Sequence, residues 1–408
     1  MNNSRVANNR RVAVGAAAAL AALAVAACGS SGSASTGGAA AGSGSPIKLL
    51  VLSQLQATAF SFPEIASGAE AAAGAINAVG GVNGHKIQVD TCNDQGDPNV
   101  AATCGRTAVQ GGYAAVINTV SLYANSYLPI LQAGSVPAIG GTPLTGDDFT
   151  SPVSFPAAGG DPLDYGAAGY VAAKTGCKTA GIIRDTAAAT NESTVNEETG
   201  FTVGGGSPVK TVVELAGTSP DFSGPVSQID SSGVDCLLIG EPPQAIVKIV
   251  QAVRQSGKPN LPIYTEAAAL PQALVTSLGK AADGVIVTAS VAVPTQAATP
   301  AFWADMTKYE PSAAKSGEAL LAWAAVQIVK DVAASAHAYT NTALLAAMQK
   351  ASDVTVEGLA GTLDFAAPDS NPAFARVFAR YDYVYTVAND RFKPMFGGEP
   401  QNVSAVLK

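Results

Sequence analysis

Histidine is almost missing from this chain, with His85 and His337 the only two in 408 residues. One reads as a turn residue and the other as a helix-end residue, so neither a histidine metal cluster nor a Ser-His relay can be built from neighbours. The usual phosphate and serine signatures are absent as well. There is no G-x-x-x-x-G-K-[ST] loop and no G-x-S-x-G elbow. Gly204-Gly205-Gly206 falls between a helix and a strand, the reverse of the strand-to-helix turn that cradles a nucleotide. Charged residues make up only 13% of the chain and sum to −8. An acidic chain is a poor match for nucleic acid or anionic lipid. The expectation is a protein with no catalytic residues, no cofactor, no metal and no nucleic-acid partner.

What is present is apolar: 48% of residues are hydrophobic, enough to core two ordinary domains. The first 27 residues stand apart. Arg5, Arg10 and Arg11 precede an uncharged, alanine-rich run from Val12 to Ala27, shorter and less apolar than the ~20 residues of a bilayer span. That pattern is a secretory signal. Val25-Ala26-Ala27-Cys28 resembles the bacterial lipobox, which implies cleavage before Cys28 and a diacylglycerol on its sulfur. Residues 28–46, mostly Gly, Ser and Ala, read as a flexible linker. Removal of the signal takes three arginines and no acids, leaving 20 Lys+Arg against 31 Asp+Glu, a charge of −11.

Four cysteines follow Cys28: Cys92, Cys104, Cys177 and Cys236. An exported chain meets oxidising conditions, so an even set favours disulfides, in one of three connectivities. Cys92 and Cys104 sit beside Asp90, Asp94 and Asp97, which leaves metal or redox chemistry as the rival use.

From Ile47 onward, short β-branched runs alternate with helical patterns. "IKLLVLS" (47–53), "KIQVDTC" (86–92), "YAAVINTV" (113–120) and "VPAIG" (136–140) read as strands. Between the first two, Ile65, Ala69, Ala72 and Ile76 make one apolar helical stripe. A second series begins after the Pro/Gly-rich stretch 152–162, with strands at 178–185, 209–215, 234–240, 261–265 and 284–290. Such βαβ series build parallel sheets with helices on both faces. This alternation favours the pairings Cys92–Cys104, across a strand and the next helix, and Cys177–Cys236. Helices at 300–309, 313–336 and 341–351 then run on, before expected closing strands at 361–365 and 376–387.

Ligands of parallel sheets sit beyond the carboxyl ends of the strands. The loops at those ends carry Phe60, then Ser121 and Tyr123, then Gly141 and Thr142; in the second series they carry Asp185, Glu241 and Glu266. Amides and hydroxyls in one half suit a carboxylate, while acids in the other suit an ammonium. A zwitterionic amino acid needs both.

"AVGGVNGHKI" followed by "VDTCNDQGDP" resembles the type I periplasmic binding proteins that serve branched-chain amino acid ABC importers. Asp221-Phe222-Ser223, "AADGVIVT" (281–288) and "LAWAAVQIV" (321–329) extend the likeness along nearly the whole mature chain. The resemblance implies an α/β fold of two Rossmann-like parallel-sheet lobes joined by a three-stranded hinge, a Venus flytrap with its ligand cleft between the lobes. The lobes are expected at 47–156 plus 295–362 and at 157–294 plus 363–408. It implies that Ser121 and Thr142 receive the ligand carboxylate and that Glu266 pairs with the α-ammonium. Ala189 and Glu241-Pro242-Pro243 depart from the family, lying where amino-acid-binding members often carry tyrosines. The expected function is an extracytoplasmic, lipid-anchored solute-binding protein that captures a small apolar amino acid and delivers it to an ABC permease. The alternatives are uptake of an aromatic acid, amide or polyol, or ligand sensing for a membrane partner.

Overall fold

The structure, a computed structural model, describes residues 44–57, 61–186 and 195–408. Cys28, Phe60 and Ala189 lie outside these residues. Five strands form the first sheet: β1 (Gly44–Ser53), β2 (His85–Asn93), β3 (Ala115–Ile117), β4 (Ala138–Ile139) and β5 (Ser154–Phe155). They pair in the order β2-β1-β3-β4-β5, all parallel. Alternation along β1 sends Leu49 and Val51 to one face and Leu50 and Leu52 to the other. Helices α1 (Glu64–Ala78), α2 (Pro98–Gln110) and α3 (Ala124–Ala133) connect the first four strands, and a short α4 (Gly146–Thr150) precedes β5. α2 and α3 cover the Leu50 face through Cys104, Tyr127 and Leu131.

The second sheet is formed by β6 (Ala180–Arg184), β7 (Thr211–Glu214), β8 (Cys236–Gly240), β9 (Ile263–Glu266), β10 (Val285–Ala289), β11 (Tyr381–Ala388) and β12 (Arg391–Pro394), in the order β12-β11-β10-β9-β8-β6-β7. The strands from β6 to β10 are parallel; β11 and β12 add antiparallel at one edge, and β13 (Gln401–Asn402) pairs with β11. Helices α5 (Gly160–Lys174) and α6 (Asn196–Val203) cover one face. The other face is covered by α7 (Ser223–Ser231), α8 (Pro243–Gln255) and α9 (Gln272–Leu278). In α8, Ile246, Val250 and Val253 are fully buried, one apolar stripe after the Pro242-Pro243 start.

The chain then returns to the first lobe as α10 (Pro300–Tyr309), α11 (Gly317–Ala336) and α12 (Asn341–Met348). α11 is apolar and long enough to span a bilayer, yet its side chains form the core against α1 and the Leu49 face of the sheet. α1 and α11 approach so closely that a Cβ on Gly68 would stand 2.1 Å from the Ala319 carbonyl oxygen. One expected strand forms no extended pair, and the other, 376–387, forms as β11 but starts at Tyr381. Residues 361–365 contribute a single bridge, Val354 to Leu363, and the segment before Tyr381 stays outside the sheet because Val377, Phe378 and Ala379 pack in the first lobe's core.

The "VGGVNGHKI" stretch is scaffold. Asn83 and Gly84 take φ of 49° and 89° between Val82 and His85, whose amides and carbonyls exchange hydrogen bonds at 2.8 and 2.9 Å. This two-residue turn matches strand twist and favours Asn-Gly. Disulfides join Cys92 to Cys104 and Cys177 to Cys236.

Candidate functional site

In a doubly wound sheet, the strand order reverses beside the first strand, and the crevice opens there at the carboxyl ends. In the first lobe the reversal lies between β1 and β3, in the second between β6 and β8. Ser53 and Ser121 mark the first point; Asp185 and Glu241 mark the second.

The first of these ends is laced shut by side chains. Ser53 Oγ donates to the Val120 carbonyl at 2.6 Å and accepts from its amide at 3.0 Å. Ser121, buried, donates from Oγ to Asp94 Oδ2 at 2.6 Å, while Asp94 Oδ1 accepts the Gly96 amide at 2.9 Å. The hydroxyl hydrogen of Ser121 is therefore committed inside the protein. Asp94, twenty-seven residues away in sequence, is the partner that sequence reasoning missed. Tyr123 stands at the N-cap of α3, its amide 3.3 Å from Ser121 Oγ.

Thr142 follows β4, and its amide donates to the Thr119 carbonyl at 2.9 Å. Its hydroxyl takes no partner among the described residues. Gly141 is held where a Cβ would stand 2.3 Å from the Asn118 carbonyl oxygen, so the backbone here admits only glycine without a shift. Asn118 Oδ1 and Thr119 Oγ1, at the end of β3, are buried with no hydrogen-bond partner in the described structure. Neither stood out in the sequence, because an "INTV" run reads as a strand interior.

The second lobe supplies acids. Glu241 is fully buried, and neither carboxyl oxygen has a hydrogen-bond partner among the described residues. Burial, aided by the nearby Asp185 carboxylate, pushes its pKa up to about 8. Asp185 Oδ1 accepts the Gly217 amide at 3.1 Å. Asp185, Thr186, Gly217, Thr218, Pro242, Gln244 and Lys248 help line a cavity of about 590 Å³ beyond these strand ends. That volume is in the range of small-molecule sites. A second cavity, about 450 Å³, lies between α7 and α8, away from the reversal point.

Glu266 ends β9 and is 6% exposed. The Tyr165 hydroxyl donates to it, and Asp161, Asp164 and Asp382 surround it. Burial first, then these acids, raise its pKa well above the usual carboxyl range. Of the cations near the strand ends, Arg184 is paired with Glu198 at 2.8 Å and Glu214 at 2.9 Å, while Lys248 Nζ gives one hydrogen bond to the neutral Ser219 carbonyl at 2.8 Å.

The two sets of groups meet along the first crossing between lobes. The Gly141 carbonyl accepts from the amides of Ala157 and Ala158, and Gly160, with φ of 72°, packs against Pro143. α5 begins at that point and carries Asp161, Asp164 and Tyr165 to Glu266.

Two doubly wound lobes with polar strand ends on either side of a hinge define a cleft-type binding protein. The sequence profile described as "Periplasmic binding protein" matches residues 46–383, and the chain belongs to that family. Members bind small molecules outside the cytoplasm and deliver them to ABC transporters; they are not enzymes. A search of curated proteins finds no match. Among solved structures, a leucine-binding protein from Thermotoga maritima superposes with TM-score 0.64 at 18% identity, covering 85% of this chain and 97% of that one. A solute-binding protein of an ABC transporter from R. palustris, in complex with benzoate, gives 0.66 at 18%, covering 88% and 98%. A fatty acid ABC transporter substrate-binding protein from Thermomonospora curvata gives 0.69 at 16%, covering 88% and 93%. At these identities the likeness carries the fold and leaves the ligand open.

Proposed function

We propose that this protein captures a small amino acid with an apolar side chain in the inter-lobe cleft and hands it to an ABC permease, tethered to the membrane through a lipid on Cys28. The observation that carries this reading is the charge pattern of the strand ends. The first lobe offers amides and the Thr142 hydroxyl, the second offers Glu241 and Glu266, and Arg184 is already paired with Glu198 and Glu214. A ligand with both a carboxylate and an ammonium matches that division; a carboxylate alone would leave Glu241 and Glu266 without a cationic partner. The ligand ammonium would take the place of the proton on Glu266. The lipid tether is supported by the Val25-Ala26-Ala27-Cys28 sequence and the uncharged linker after it.

A second reading rests on the raised pKa values of Glu241 and Glu266. As neutral acids they can donate hydrogen bonds to an aromatic acid, amide or polyol. A thermal-shift panel of amino acids, each beside its deaminated analogue, separates the two. A ligand at ~100 Kd raises stability by ~2.7 kcal/mol. Shifts confined to the amino acids support the first reading, and equal shifts within each pair reject it.

A further inference from the structure

Outside the strand ends, the most unusual polar cluster lies where the chain passes between lobes. Asp164 sits in α5 just after the first passage, Ser290 follows β10 at the second, and Asp382 is the second residue of β11, just after the third. The Gly159 amide donates to Ser290 Oγ at 3.0 Å, Ser290 Oγ donates to Asp164 Oδ2 at 3.3 Å, and Thr288 Oγ1 donates to the Asp164 carbonyl at 2.7 Å. The Asp382 carboxyl neighbours that of Asp164, close enough for each to act on the other's ionisation. Asp164 Oδ1 and both oxygens of Asp382 are sealed from water and receive no hydrogen from any other described group. Two carboxyl groups hydrogen-bond to each other only when one holds a proton.

Among the described residues, no cation pairs with either carboxyl. The charged or titratable groups facing the pair are Asp161 and Tyr165 from α5 and Glu266 from the end of β9, while Thr288 and Ser290 are neutral. Nor do these oxygens converge as metal ligands: among the described residues, the one such group is Cys177, Asp235 and Cys236, where both sulfurs are in a disulfide.

We propose that Asp164 and Asp382 hold each other through a carboxyl proton that clamps the three hinge passages together, and that deprotonation at alkaline pH loosens the hinge. Burial pushes Asp164 up to about 8 and Asp382 well above the usual carboxyl range. The folded chain thus holds the proton more tightly than the unfolded chain. The stability it contributes is complete below the ordinary carboxyl range and is lost as pH rises through about 8.

The test compares melting temperatures of the mature wild type and Asp382→Asn at about pH 6 and about pH 9. Asparagine supplies a permanent N–H where the carboxyl proton lies. The wild type should lose stability toward pH 9, and Asp382→Asn should lose markedly less. An equal loss in Asp382→Asn overturns the carboxyl proton's role. Amide exchange of the wild type, corrected for intrinsic rates, gives a readout free of any folding defect in the variant. Segments 156–165, 288–292 and 379–383 should lose protection at the higher pH, and unchanged protection overturns the clamp.

Discussion

Ser121 Oγ gives its hydrogen to Asp94 Oδ2 at 2.6 Å, so toward a ligand Ser121 can offer only lone pairs. On the proposed reading, the donors for a ligand carboxylate come from backbone amides and from Thr142. Asp94→Ala strands the Ser121 hydroxyl and the Gly96 amide, and should cost about 1–3 kcal/mol of stability in urea titrations. Asp94→Asn, which keeps an acceptor oxygen, should cost less.

Gly141→Ala would drive a Cβ to 2.3 Å from the Asn118 carbonyl oxygen. Backbone must move, at about 1–3 kcal/mol. The Thr142 amide moves with it, so ligand affinity should fall in calorimetric titration. Wild-type stability and affinity would contradict the role given to this loop.

The disulfides span sequence separations of 12 and 59 residues. By loop-closure entropy they stabilise the fold by about 3 and about 4 kcal/mol respectively. Cys92→Ala with Cys104→Ala, and Cys177→Ala with Cys236→Ala, should lower denaturation midpoints in that order of severity while leaving ligand affinity unchanged.

Glu241 has its pKa raised to about 8 by burial and by Asp185. Its folded form holds a proton that the unfolded chain releases near pH 4–5, so its contribution to stability is full below that range and disappears as pH climbs through about 8. Glu241→Gln should flatten the fall in melting temperature between about pH 6 and pH 9. An unchanged slope would show the carboxyl to be ionised already at neutral pH.

Much of the scaffold was legible from the chain. "KLLVLS" reads as a strand buried on both faces because Leu49 and Val51 alternate with Leu50 and Leu52, and the Asn83-Gly84 turn needs only those two residues to be recognised. The cysteine pairing followed from strand alternation, since Cys92 and Cys104 belong to adjoining elements. What escaped was long-range. Nothing near Ser121 announces Asp94, and nothing near Glu266 announces Asp161, Asp164 or Asp382, which arrive from two other segments through packing of α5 and β11. The run at 361–365 has strand composition but no neighbouring edge to extend along, so it makes one bridge. Phe60, expected in the cleft wall, lies outside the described residues.

The pairing of Glu266 with a ligand ammonium is tested most directly by calorimetric titration of an apolar amino acid such as leucine, in two buffers of different ionisation enthalpy. Glu266 holds its proton in the free protein because burial and three neighbouring acids disfavour its charge. A bound ammonium reverses that preference and expels the proton, so the observed heat should differ between buffers. Glu266→Gln should abolish the difference and weaken binding by ~2–5 kcal/mol, the range for truncating one partner of a buried charge pair. Binding of equal heat in both buffers, with the variant as tight as the wild type, would contradict the assignment.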